Sequence, residues 1–171
     1  LIVSPSPKSR HQRASFELTG ALYAFLKSSN AGVGFAAPMD VRLSLHDVVQ
    51  PDLFVVLRHR EDIIQEGWMD GAPDLVVEIL SPSSIETDFL RKAKLYEQSG
   101  VREYWIVNHE SEMVSVQLLE DDRFALAGEF GRGDTLRSTV LEGFELDLAK
   151  IFPGVPAEST SGPSGEQARN E

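Results

Sequence analysis

The sequence predicts an α/β (α+β) domain with one mixed sheet flanked by helices, and three stretches carry that prediction. "PDLVVEIL" (73–80) is an almost continuously apolar strand, a helical stretch of about 86–99 ends at Gly100, and "REYWIVN" (102–108) is a second strand. Strand, helix and strand in that order require a right-handed crossover that sets the two strands parallel. Beyond residue 108, apolar positions alternate between closely spaced turn residues, the pattern of antiparallel hairpins. With 171 residues and 42% hydrophobic content, the chain can bury one core of its own.

Taken in order, "LIVS" reads as part of a strand, so the chain is expected to lack its true beginning. A Pro-punctuated turn, "SPSPKS", leads into a helix of about 10–29. Ala14, Leu18, Ala21, Leu22, Phe25 and Leu26 recur there at steps of three and four, and "NAG" (30–32) stops it. Val41, Leu43 and Leu45 alternate with Arg42, Ser44 and His46, which predicts a half-buried strand. "VVQPDLFVVL" (48–57) reads as a strand of the sheet interior, and "RHREDIIQEGWMDGA" as a polar connection. Ser83 and Glu86 stand at capping-box spacing for the helix ending at Gly100. Hairpin turns are expected at Glu120-Asp121-Asp122 and Gly131-Arg132-Gly133, before a closing "FELDLAKIF". The Pro-, Gly-, Ser- and Glu-rich stretch 153–171 has little to bury and reads as a disordered tail, leaving 1–152 as the domain.

The formal net charge of −11 argues against a non-specific nucleic-acid coat, because Lys and Arg drive phosphate binding, but it leaves room for a local basic groove. The absence of cysteine removes disulfides and thiolate metal sites and agrees with a cytoplasmic location. No apolar run is long enough for a membrane span, and no secretory leader pattern is visible.

Two acids interrupt apolar strands: Asp52 in "VVQPDLFVVL" and Glu78 in "PDLVVEIL". Burying a carboxylate without a partner costs on the order of several kcal/mol, so each must be ion-paired, protonated or bound to a metal. If Phe89, Ala93 and Tyr96 mark the inner face of their helix, Lys92 lies on that side and Lys94 points largely outward with Arg91. Asp88, one turn earlier, is placed to steer the Lys92 ammonium. Two carboxylates on neighbouring strands suit hard cations such as Mg²⁺ or Mn²⁺. An inward lysine beside them completes the inventory of a phosphodiester hydrolase.

"VVQPDLFVV", "GAPDLVVEILSPSS", the Lys92–Tyr96 spacing in "RKAKLYEQSGVREYWIV" and "SPSPKSRHQ" together resemble the Uma-two family of restriction-endonuclease-like proteins, within the PD-(D/E)XK nuclease superfamily. The resemblance spans nearly all of 1–152 and is most specific over 73–107. It implies a mixed sheet flanked by helices with a metal site where the sheet splits. It also implies a Mg²⁺- or Mn²⁺-dependent nuclease acting on DNA, as a homodimer where both strands are to be cut. Asp52 then matches the aspartate of the "PD" element and Glu78 the acid of the "(D/E)XK" element. The lysine position falls on Leu80, so the motif is broken, and the resemblance suggests Lys92 as a migrated replacement. Glu17 is the candidate for the acid often found on the first helix, and His11 and Gln50 are candidate cleft residues. Asn108 stands where the family's strand often ends in Asp.

Other readings compete. Asp74, which opens its strand, reads as structural, accepting backbone hydrogen bonds. Glu78 and Lys92 could form only a buried salt bridge, and the broken motif with net acidity fits a non-catalytic binding or regulatory module. Trp68, Tyr104 and Trp105 could offer stacking surfaces, although Trp105 in an apolar strand reads as core. A nucleotide-binding βαβ unit is disfavoured, because "LSPSSIETD" lacks the glycines that admit a pyrophosphate.

Overall fold

A computed structural model describes residues 7–80 and 86–152. "LIVS", Ser83 of the expected capping box and the tail from 153 lie outside the described residues.

Helix α1 (Pro7–Ser29) begins three residues before its expected start. Proline is tolerated in a first helical turn, where its missing N–H has no intrahelical acceptor to serve. Ala14, Leu18, Leu22 and Leu26 form its buried stripe, and Asn30, at φ 57, turns the chain out of the helix. Strand β1 (Gly32–Ala36) follows.

The segments read as one half-buried strand and one interior strand are each shorter than expected. Strand β2 is only Asp40–Arg42. The Ser44 hydroxyl donates to Asp47 Oδ2 at 2.6 Å and accepts the N–H groups of His46 and Asp47, folding that region into a turn with Leu45 86% exposed. "VVQPDLFVVL" is two strands, β3 (Val48–Val49) and β4 (Leu53–Leu57), because Pro51 between them has no N–H for a ladder. The expected polar connection carries a 3₁₀ turn (Arg58–Ile63), β5 (Ile64–Gln65) and β6 (Trp68–Asp70).

Strand β7 (Leu75–Leu80), helix α2 (Glu86–Ser99) and β8 (Glu103–Asn108) realise the crossover. β7 and β8 are parallel, in register from Leu75↔Glu103 to Leu80↔Asn108. Gly100, at φ 84, ends α2, and a Cβ there would meet nothing within 4 Å. Gly100→Ala is therefore expected to cost only the left-handed backbone penalty, about 1 kcal/mol, readable as a lower urea midpoint at unchanged slope.

Strands β9 (Met113–Glu120) and β10 (Arg123–Gly131) form the expected hairpin, with Asp121 and Asp122 at φ 47 and 60 in its two-residue turn. β11 (Thr135–Arg137) pairs with β12 (Glu145–Asp147). The main sheet runs β1-β4-β7-β8-β9-β10, and a four-stranded sheet runs β3-β2-β6-β5.

Alternation along the strands divides the core between the two faces of the main sheet. Leu53, Val55, Leu75, Val77, Ile79, Trp105 and Val107 pack with α1 and the β11–β12 pair. Phe54, Val56, Val76 and Tyr104 pack with Tyr96 of α2 and with Val41, Val49 and Met69 of the smaller sheet. A polar residue at 78, an even position of β7, belongs to the α2 face.

Candidate active site

β4 and β7 are antiparallel, with Leu53 opposite Val77. Each strand is preceded by Pro-Asp, and each aspartate closes the far end of its neighbour: Asp52 Oδ2 accepts the Ile79 N–H at 2.7 Å, and Asp74 Oδ2 accepts the Leu57 N–H at 2.9 Å. The two clamps differ in charge environment. Asp74 is fully buried, with Arg60 at 3.0 Å and Arg102 at 3.7 Å, and so fills the structural role read from the sequence. Asp52 has no such guanidinium among the described residues; its near neighbour is His11 of α1, whose Nε2 lies 3.5 Å from Oδ2.

Continuing the β4–β7 register sets Asp52 across from Glu78, which faces α2. The Glu78 side chain is 9% exposed, and its Oε1 accepts from Lys92 Nζ at 2.9 Å and from the Tyr96 hydroxyl at 2.6 Å. Lys92 thus does face the sheet, as its helical position predicts. Burial pushes the Glu78 carboxyl above its ordinary range; the Lys92 ammonium and the Tyr96 hydroxyl oppose that rise, and Asp52 adds to it. Burial and the adjacent Glu78 raise the Tyr96 phenol, so Tyr96 keeps its proton and donates it.

Other sequence candidates fall elsewhere. Asp88 pairs with Arg91 at 3.0 Å and does not steer Lys92, because both Asp88 and Arg91 stand on the exposed side of α2. The Gln50 amide donates to Asp40 Oδ1 at 2.7 Å on the exposed surface and so is drawn away from the cleft. Glu17 lines a cavity between α1 and the stretch from Gly143 to Ile151, among whose walls neither Asp52, Glu78 nor Lys92 appears. Trp105 is buried core, and Trp68 lies under the Arg42 guanidinium at 4.3 Å.

Sequence reasoning treated Tyr96 as packing only; its hydroxyl on Glu78 was signalled by its place one turn after Lys92. It missed His109, buried with Nδ1 unpartnered among the described residues, its ring edge-on to His11 at 6.4 Å. It also missed Glu103, fully buried, whose Oε1 accepts from Trp105 Nε1 at 2.6 Å. Glu103 Oε2 accepts from the Ser138 hydroxyl and the N–H groups of Thr139 and Val140.

A family model described as "Putative restriction endonuclease", the Uma2 family, matches residues 1–149. The chain belongs to the Uma2 family. Among solved structures, it resembles one described as "a putative nuclease belonging to DUF820" from Anabaena variabilis ATCC 29413. That likeness has a TM-score of 0.70 at 18% identity and covers 89% of this chain and 85% of the other, which establishes a shared fold. No curated protein matches. The mixed sheet between α1 and α2 is thus the architecture on which this Uma2 protein carries Asp52, Glu78 and Lys92. No helix among the described residues is long and apolar enough to cross a membrane.

Proposed function

We propose that this Uma2 protein hydrolyses phosphodiester bonds in DNA with the help of a divalent cation. The observation that carries the reading is the placement of two carboxylates, Asp52 and Glu78, opposite each other at one end of adjacent antiparallel strands, with the Lys92 ammonium against the second.

The donor set fits Mg²⁺ or Mn²⁺. Among the described residues no hydrogen bond reaches Asp52 Oδ1 or Glu78 Oε2, which leaves one oxygen of each carboxylate for a ligand. No group of three or more His, Cys, Asp or Glu among the described residues could hold an ion. A two-carboxylate site suits Mg²⁺, which keeps several waters when so held. A bound cation of this kind activates one of its waters and offsets charge gathering on the phosphate. Tyr96 and Lys92 fix the Glu78 carboxylate through Oε1. The remaining N–H bonds of Lys92, whose side chain is 21% exposed, orient the attacking water or the phosphate oxygen it approaches.

Supercoiled plasmid incubated with Mg²⁺ or Mn²⁺ is expected to be nicked by the wild type. Lys92→Met is expected to slow nicking by roughly 10²-fold while Mn²⁺ affinity holds. A wild type that cleaves no DNA with either ion refutes the proposal. The saturated Oε1 of Glu78 favours one rival, a non-catalytic binding or regulatory module in which Lys92–Glu78–Tyr96 is a packing network. That module would show no Mn²⁺ binding dependent on Asp52 and Glu78 in a calorimetric titration.

A further inference from the structure

Among the described residues, β1 forms one end of the main sheet, and β10 forms the other. The β10 edge carries Arg123 and Glu129 and a register break between Leu126 and Gly128, devices that discourage a further strand. The β1 sequence "GVGFA" has no charge, proline or bulge. The Arg58 N–H bonds the Ala31 carbonyl, and the Ala37 N–H bonds the Asp52 carbonyl. By antiparallel alternation, Val33 and Phe35 also direct their backbone groups at β4, so those of Gly34 and Ala36, both exposed, face outward.

Beside that open edge runs a cavity of about 420 Å³, walled on the helix side by Leu22, Tyr23 and Leu26 of α1. A Cβ on Gly34 would come within 3.0 Å of Leu26 Cδ1, so the glycine leaves the groove room. Tyr23 is 65% exposed, and Phe16, two turns earlier on the same stripe, is 78% exposed. Both charged residues lining the cavity are cations, Lys27 and Arg58, in a chain of net charge −11. Arg58 already donates to the Asn30 carbonyl and sits 3.6 Å from Glu61. Lys27 has no ion-pair partner among the described residues.

We infer that the groove between α1 and the β1 edge receives an extended, acidic peptide segment of another protein. The segment adds antiparallel or parallel to β1 through Gly34 and Ala36, sinks an apolar side chain between Tyr23 and Leu26, and sets a carboxylate against Lys27. Charge decides against two copies meeting groove to groove, since each groove presents Lys27 and Arg58 and lines with no acid.

A displayed random-peptide library selected on the full chain tests this. Enriched clones are expected to alternate apolar residues and to carry Asp or Glu. Ala36→Pro removes an outward N–H without touching the β4 ladder and is expected to weaken a selected synthetic peptide by roughly tenfold. Lys27→Glu, an exposed change that leaves the fold intact, is expected to weaken it severalfold, and DNA nicking should be unchanged in both variants. The inference is overturned if no family of clones enriches, if the peptide binds Lys27→Glu as well as wild type, or if light scattering shows a dimer that Ala36→Pro dissociates. These outcomes are independent of whether the wild type cleaves DNA.

Discussion

Glu78→Gln is expected to leave the fold intact while abolishing Mn²⁺ binding and lowering DNA cleavage by roughly 10²–10³-fold. Glutamine keeps the shape of the side chain and a carbonyl oxygen able to accept from Lys92 and Tyr96, so the packing of α2 on β7 should survive. Removing a charge that burial already disfavours costs little, and the partly exposed Lys92 can turn to water. What disappears is the second oxygen, the atom offered to a cation. Circular dichroism, calorimetry and a nicking assay on one preparation separate these effects. Full cleavage by Glu78→Gln would remove Glu78 from the chemistry, and loss of the thermal transition would make its role structural.

Glu103→Ala is expected to be the most damaging single change outside the site, destabilising the domain by about 3–5 kcal/mol. One buried carboxyl group holds the Trp105 indole on one oxygen and three donors from 138–140 on the other. Truncation leaves those donors unsatisfied and opens a void beside Trp105. Glu103→Gln should cost less, because one acceptor oxygen remains, although its NH₂ then faces donors. Urea denaturation followed by Trp fluorescence orders the three proteins. A Glu103→Ala midpoint equal to that of the wild type would show that the buried bonds contribute nothing.

The contrast between Glu78 and Glu103 shows what the sequence can display. Glu78 stands out because apolar residues flank it on both sides. Glu103 is still more deeply buried but starts its strand after Val101-Arg102, where a charged residue reads as solvated. Apart from Trp105, its partners lie 35 to 37 residues ahead and are invisible to any local pattern. The β7–α2–β8 unit was legible because contiguous residues supply its periodicity and its stop at Gly100. The strand expected over 41–46 failed where Ser44 and Asp47 bonded each other, since side-chain competition with the ladder overrides alternation. Asp52 and Asp74 are indistinguishable by local motif, both following proline at a strand entrance. Arg60 and Arg102 separate them, and only the fold brings those guanidinium groups to one of the pair.

The paired Pro-Asp clamps divide labour within a single side chain. Asp52 spends Oδ2 on tying off the ladder at Ile79, while Oδ1 accepts no hydrogen bond among the described residues. Under the proposed function, architecture and reactivity fall to different atoms of one residue, two bonds apart. Asparagine at 52 can retain the first atom's duty while forfeiting the second's, whereas alanine forfeits both. A loss of function in the alanine protein alone would speak about the frame; only the asparagine protein speaks about the chemistry.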